Sequence, residues 1–509
     1  MAEHPMKPRR PSVLSLSIVL GISVTLLAGC ALTPATTLTP EADRPETVSS
    51  VEHLEEYTSA NLPAEDAVVD QWWRMIGDAE IDSLIHELRL NSLTLTETRL
   101  QIAQAREQAV QARSFRLPSV NGSADISGNG TRSPNSSFDF NDAYGLGLSA
   151  DFNADIFGGL RASERSALLR TKASELLFLS VEQQEVASLV RSWVAASTLK
   201  RQFALAQETA ESFRTTFELT DQRYRAGSSD VSASDAQIAR QNYDSALVDI
   251  PNLQTQLNVQ LFAIDEQLAR LPGETAPTFV GHLNLNRELN LPIGVPADLL
   301  ANRPDVAAAE LSYRAALEDV GAARADLYPA LSFSAALSFE GDNVGDVLSA
   351  DTFVANLLAS LTAPIFNGGR LRSEVRLQQA EAEELATNFA RTTLAALIDV
   401  EQAVAQLVGI NEQLKRLDDN VASAALSDQL VQNRYRRGLG TLLSILESQR
   451  TLNVARQNLI LTEQAYLNAY IDLFFSLGGS WFDPATAPAI TRDTKGACLL
   501  YTSPSPRDS

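Results

Sequence analysis

The chain has 509 residues, with 63 acidic against 41 basic side chains, a formal charge of −22 and a pI near 4.7. That excess of carboxylates excludes nucleic acid as the main partner, because phosphate backbones select basic surfaces. Hydrophobic residues make up 45% but aromatic ones only 6%, which favours long helices packed by small side chains over one thick core.

Residues 1–29 read as a lipoprotein signal peptide. Lys7, Arg9 and Arg10 precede an apolar run from Val13 to Ala28, and Leu27-Ala28-Gly29-Cys30 has the form of a lipobox. The run is too short and wrongly placed for a lasting transmembrane helix. Cys30 is then the lipidated N-terminus, whose acyl chains (palmitate among them) contribute roughly 0.8 kcal/mol per buried methylene. No other cofactor is expected. Residues 30–70, rich in Thr, Pro, Glu and Ala, read as an extended linker.

After Asp70-Gln71-Trp72-Trp73 the pattern Ile81, Leu84, Ile85, Leu88 predicts a helix running to about Ser114, ended by Pro118. Trp72 and Trp73 are expected to pack a helix bundle. A β-hairpin follows over about 118–156. Val120, Ala124 and Ile126 alternate with Asn121, Ser123 and Asp125, and Tyr144, Leu146, Leu148, Ala150 and Phe152 alternate with small or polar residues. From Phe157-Gly158-Gly159 the chain enters a helix of about 65–70 residues, on the order of 100 Å long at about 1.5 Å per residue. Its stripe includes Val186, Val190, Trp193, Phe213 and Phe217. Arg223-Tyr224-Arg225-Ala226-Gly227 closes it as a hairpin tip, and a return helix follows over 231–270, which Pro251 is expected to kink or break.

The same landmarks then recur. Asn302 answers Asn91, Pro329 answers Pro118 and Gly438 answers Gly227, each 211 residues on, and Phe366 answers Phe157 at 209. The chain is two copies of one unit, 71–271 and 297–481, joined by a linker at 272–296. The second hairpin spans about 329–366, with Leu331, Phe333, Leu337, Phe339, Phe353, Leu357 and Leu361 apolar and Asn356, Ser360 and Thr362 opposite. The second tip is Arg434-Tyr435-Arg436-Arg437-Gly438, and the last helix covers 441–477. Residues 482–509 form a tail, and Cys498 to Asp508 resemble a translated transposase sequencing adapter, so 498–509 read as an artefact.

No catalytic or metal site is expected. His4, His53, His86 and His282 lack ligand spacing. Gly145-Leu146-Gly147 has no third glycine and no following helix, so it is not a dinucleotide fingerprint. Four strands cannot close a membrane barrel, which needs about eight or more, so the hairpins form an ordinary sheet or several chains pool them. An apolar outer face with Asn121, Ser123, Asp125 and Asn356 on the inner face suits the second choice. The long helices would continue the pore as a tube.

These residues carry a family resemblance. Asp70-Gln71-Trp72-Trp73, Asn302-Arg303-Pro304-Asp305-Val306, Gly321-Ala322-Ala323-Arg324-Ala325, Pro364-Ile365-Phe366-Asn367-Gly368-Gly369-Arg370-Leu371 and Leu477-Gly478-Gly479-Ser480-Trp481 resemble the TolC-like outer membrane factors. The branch most similar is that of the NodT-type lipoproteins of tripartite efflux systems. The resemblance, over about 70–481, implies a fold of mixed α and β, mainly α. In it a homotrimer makes a twelve-stranded outer-membrane barrel continuous with a periplasmic helical barrel. It implies docking of a periplasmic adaptor at the tips, here Tyr224, Gly227, Tyr435 and Gly438, with an inner-membrane pump beyond. It implies contact with outer-membrane lipid, and no enzyme activity. The family's acidic pair at the tunnel constriction falls on Ser444 and Glu447, so only one position is acidic. Ala233 stands where an Asp is usual, and Gly440 where some members carry Arg. The alternatives are an outer-membrane channel for type I protein secretion and a periplasmic coiled-coil adaptor or structural lipoprotein.

Overall fold

The computed structural model of the chain describes Trp73 and residues 79–131, 139–276, 278–281, 303–343, 345, 347 and 353–478. All of them lie in the second of two compact units, Val68–Ser509. The signal segment, Cys30, Trp72, Asn302 and the tail fall outside the described residues.

Two short helices come first, α1 (Ala79–Asn91) and α2 (Leu93–Ser114). Strands β1 (Ser119–Thr131) and β2 (Asp139–Ala154) follow, then α3 (Gly159–Arg225) and α4 (Ala233–Gln267). The second half runs α5 (Pro304–Ala325), β3 (Ala330–Gly341), β4 (Phe353–Thr362), α6 (Arg370–Arg436) and α7 (Leu442–Ser476). Lengths match in pairs: α2 and α5 have 22 residues, α3 and α6 have 67, α4 and α7 have 35. The duplication read from the landmarks is thus a duplication of elements.

Two expectations need correction. The first helix is not continuous to Ser114. Ser92 leaves helical geometry (φ −54, ψ 127) and its hydroxyl accepts from the Leu95 backbone N–H, so it caps α2 as a new start. The bonds Ser92 N–H to Leu88 O and Thr96 N–H to Ser92 O carry on across the joint, which makes it a bend rather than a loop. Pro251, in turn, does not break α4. It sits on an exposed stretch beside Leu247 and Val248, where water can satisfy the carbonyl that the missing N–H leaves free.

The main core gathers where α1, α3, α4, α6 and α7 meet. Val186, Val190, Trp193, Ile264, Leu407 and Ile471 are buried there, each large side chain contributing about 1.5–3 kcal/mol. Trp73 joins it: the ring is buried, Nε1 donates to Asp82 at 2.6 Å and the Arg89 guanidinium lies over the ring. Glu80 fastens the end of the first half to this core by accepting from Trp193 Nε1 and from the backbone N–H groups of Val280 and Gly281. In the second half Arg303, buried, bonds Asp305, Asp399 and the Ser476 carbonyl, while Pro304 opens α5 at its first turn.

Among the described residues the strands form one antiparallel sheet in the order β1-β2-β3-β4. The β2–β3 pair joins the two halves, with Leu148 opposite Leu337 and Phe152 opposite Phe333. The sheet passes straight into the long helices. Gly158 and Gly369, with φ of 78 and 86, make the N-terminal turns of α3 and α6.

Candidate functional site: a two-faced sheet and paired helical tips

The strand register assigns every side chain to a face. Asn121, Ser149, Ala336 and Asn356 form one row across the four strands. The next rows hold Ser123 with Ser338, and Asp125 with Glu340. Asp151, Asn153, Ser332, Ser334 and Ser360 share that face. Asn121, Ser123, Asp125 and Asn356 therefore lie on one side, with Val354 and Leu358 as apolar exceptions there. The other side carries Val120, Ile126, Leu148, Phe333, Leu337, Phe353, Leu357 and Leu361. Ile126 and Leu357 are each 79% exposed. An apolar face that bare in a single chain calls for a covering.

Gly145 and Gly147 now have a role. A Cβ on Gly147 would lie 2.6 Å from Ser123 Oγ, and one on Gly145 would lie 3.8 Å from the Asp125 carboxylate. The polar side chains of β1 lean across the bare backbone of β2. Asp125 and Glu340 consequently flank a glycine with no side chain between them.

At the far end the two tips are closed by the same chemistry. Gly227 N–H bonds Tyr224 O and Ser228 N–H bonds Arg223 O; Gly438 N–H bonds Tyr435 O and Leu439 N–H bonds Arg434 O. This double bond pattern with φ of +75 and +76 at the glycines is the Schellman turn, which needs the left-handed conformation. Nothing lies within 4 Å of a Cβ built on either glycine. Both turns thus present open backbone to solvent. The return helices start at capped residues. Ser232 and Asp235 form a reciprocal capping box, and Thr441 accepts from Ser444 N–H. The Ser232 hydroxyl and backbone N–H both bond the Asp235 carboxyl and hold it below the usual carboxylate range.

The tips are tied to one another. Tyr435 shares a 2.7 Å hydrogen bond with Thr220, and Arg223 donates to the carbonyls of Tyr435 and Arg436 at 2.7 and 2.9 Å. The Arg223 guanidinium also stands 4.9 Å from the Tyr435 ring centre. This corrects one assignment. Tyr435 is 2% exposed, so its ring holds the tip together from inside and cannot meet a partner. Tyr224 is 44% exposed and remains on the surface with both glycines. Ser444 and Glu447 sit three residues apart on the first turns of α7, both exposed, and Glu447 has no ion pair among the described residues. Asp235, two residues beyond Ala233, is spent on its cap.

Sequence reading missed Thr220 and Arg223 as working residues. Arg223 belongs to the first Arg-Tyr-Arg motif, but its mate Arg434 is exposed, so the motif alone could not say which copy does the tying. Among the described residues no group of three His, Cys, Asp or Glu is placed to hold a metal ion.

Comparison with known proteins now adds to the geometry. The sequence pattern of the family described as outer membrane efflux protein matches residues 84–270 and 295–479. The pyoverdine export outer membrane protein OpmQ of Pseudomonas aeruginosa is 33% identical over 426 residues, covering 81% of this chain and 88% of its own. The cation efflux system protein CusC of Escherichia coli is 26% identical, with 81% and 88% covered. In fold, the outer-membrane channel OprN matches with a TM-score of 0.75 at 24% identity, over 83% of this chain and 95% of its own.

Proposed function

The chain belongs to the outer membrane efflux protein family, and on that premise we propose that three copies form a passive exit duct for small molecules, driven by an inner-membrane pump through a periplasmic adaptor. The family is one of outer-membrane channels and not of enzymes, and its structures extend into the periplasm. The observation that carries the reading is the two-faced sheet, open at both edges and continuous with helices of 67 residues. Three sheets of four strands supply twelve, above the about eight that a closed membrane barrel needs. Apolar residues then face lipid, Asn121, Ser123, Asp125 and Asn356 face water, and no backbone edge is left in hydrocarbon. The α3–α4 and α6–α7 pairs carry the conduit on the order of 100 Å further. Ser444 and Glu447, just beyond the second tip, line its constriction. The relatives' names point to different cargoes, pyoverdine and a cation, which fits a duct whose pump chooses the substrate.

Cys30 adds a lipid anchor without building the duct, because the barrel makes its own membrane contact. A Cys30→Ser variant carrying a cleavable signal peptide still forms trimers on this account; failure to trimerise at normal expression would contradict it. The adaptor is placed at the exposed turns around Tyr224, Gly227 and Gly438. Since a side chain at Gly438 meets open space, the strain of Gly438→Asp is that of the left-handed turn alone, about 1–2 kcal/mol. The variant should reach the outer membrane as normal trimers yet lose efflux, and adaptor mutations should restore it. Unchanged efflux would remove the tip as the contact surface. Absence from the membrane would make the turn structural.

A further inference from the structure

Apolar packing along the helices is interrupted once between the main core and the tips. On α3 the buried residues of the main core end at Ala196 and those of the tip cluster begin at Phe213. On α6 the same two limits are Leu414 and Tyr435, and on α7 they are Tyr466 and Leu446. In the interval α3, α6 and α7 enclose a cavity of about 230 Å³. Helix periodicity builds its polar wall. Thr209 and Ser212 lie one turn apart on α3, Asp428 and Gln432 one turn apart on α6, and Gln449 and Asn453 one turn apart on α7.

Two buried groups in this wall are short of partners. The Asp428 carboxylate, in a residue 6% exposed, accepts from Gln432 Nε2 at 2.7 Å and from Ser448 Oγ at 2.8 Å. Both donors are neutral, and Asp428 has no ion pair among the described residues. Gln449, also 6% exposed, donates from Nε2 to the Ser212 carbonyl and hydroxyl at 3.3 and 2.8 Å and to the Thr216 hydroxyl at 2.9 Å. A carbonyl can only accept, so that bond fixes which way round the amide stands. Gln449 Oε1 is then a buried oxygen with no hydrogen-bond partner among the described residues. Arg456 on the same wall is taken by Glu208 at 2.6 Å, so this pair is neutral and Asp428 carries the uncompensated charge. Buried acceptors in that state cost free energy until a donor reaches them.

We propose that this cavity binds a small primary ammonium ion with a short apolar stem, its N–H groups directed to Asp428 and to Gln449 Oε1. The two groups in need are both acceptors, so the ligand has to bring donors. The uncompensated charge is negative, so the ligand has to be a cation, whose hydrogen bonds to a carboxylate are the strong kind. Size decides between a bare ion and an organic one. The space holds several waters at about 30 Å³ each, too much for a dehydrated metal ion. It is also below the roughly 300 Å³ at which drug-sized sites begin. Leu205, Phe213 and Leu452 supply apolar wall for the stem. An occupant touches α3, α6 and α7 at once, and so tightens the seam that Thr220 and Tyr435 close nearer the tip. The site goes beyond the duct reading and does not depend on it, since one chain supplies the whole wall.

The test is isothermal titration of the full-length protein, in uncharged detergent at constant ionic strength, with n-butylammonium as the probe. Saturable binding of one probe per chain is expected, whether the protein runs as a monomer or as a larger assembly. Butyrate reverses the charge and tetramethylammonium has no N–H donor; neither should bind. Asp428→Asn keeps the shape of the side chain and should weaken binding about tenfold or more, the effect of losing one hydrogen bond to a charged group. Ala425→Phe narrows the cavity without altering either polar group and should abolish binding. Thermal melting of both variants checks that they fold, and the probe should raise the melting temperature of the unmutated chain but not of Ala425→Phe. The probe series on the unmutated chain decides the matter even where a variant does not fold. No saturable heat means that the cavity takes water alone. Tetramethylammonium binding as tightly removes the hydrogen-bonded head, and potassium displacing the probe at equal concentration makes the site one for a metal ion. Binding unchanged in both variants puts the probe elsewhere. Each of these results overturns the proposal and leaves the duct reading standing.

Discussion

Tyr224 and Tyr435 occupy the same place in matching motifs and do different work. Tyr435 is buried against Thr220 and under Arg223, while Tyr224 faces solvent. The difference comes from which copy of the motif leans on the other, and no residue within either motif encodes it. Arg223→Ala removes both bonds to the second tip, each contributing about 1.5–3 kcal/mol for a charged donor. Amide exchange over 434–441 should speed up while the sheet is unaffected; unchanged exchange would show that Arg223 does not hold the tips together. Asp235 gives a pH test. Its carboxyl is held low by the Ser232 hydroxyl and backbone N–H. The cap is therefore complete above the ordinary carboxylate range and is lost as pH falls through the lower, folded value. Exchange at the start of α4, taken relative to the unfolded chain at the same pH, should rise only on strong acidification and stay flat from pH 8 to 5. A rise near neutrality would rule the cap out as the cause.

The strands and long helices were the most legible elements, for opposite reasons. Alternation in β1 to β4 has a period that only a two-faced sheet satisfies, and α3 runs from Gly159 to Arg225 with no interior glycine or proline. The bend at Ser92 was hidden because Asn91-Ser92-Leu93 interrupts no apolar spacing, and a cap needs no break in the pattern. Pro251 does not end α4, since the cost of a proline depends on whether water reaches the freed carbonyl, which sequence does not state. Gly159 was read as part of the strand-to-helix joint, yet its main constraint is packing: a Cβ there would stand 2.8 Å from the Ala325 Cβ. Gly159→Ala should force α3 and α5 apart and cost about 1–3 kcal/mol. Ala325→Gly in the same chain should recover most of the lost thermal stability. If the double variant melts no higher than Gly159→Ala alone, the close approach is not what selects glycine.

At the scale of the whole molecule, the acidity that excluded nucleic acid acquires a place. Asp125, Asp151 and Glu340 all fall on the polar face of the sheet, and Glu447 lies exposed near the second tip. In the proposed trimer they would make rings of carboxylates around one axis, which would raise the local concentration of cations. The exposed apolar face of the sheet is the other side of the same design, since a closed pore would set it against lipid. The central claim is that this surface is the wall of a water-filled, acidic conduit. Its most direct test is the current through a planar bilayer carrying the purified full-length protein, with the reversal potential read under a salt gradient. The account predicts discrete single-channel steps and a reversal potential on the cation-selective side, shifted toward zero selectivity by Asp125→Asn with Glu340→Gln. A protein that inserts without conducting, or one that conducts with an anion preference, would contradict it.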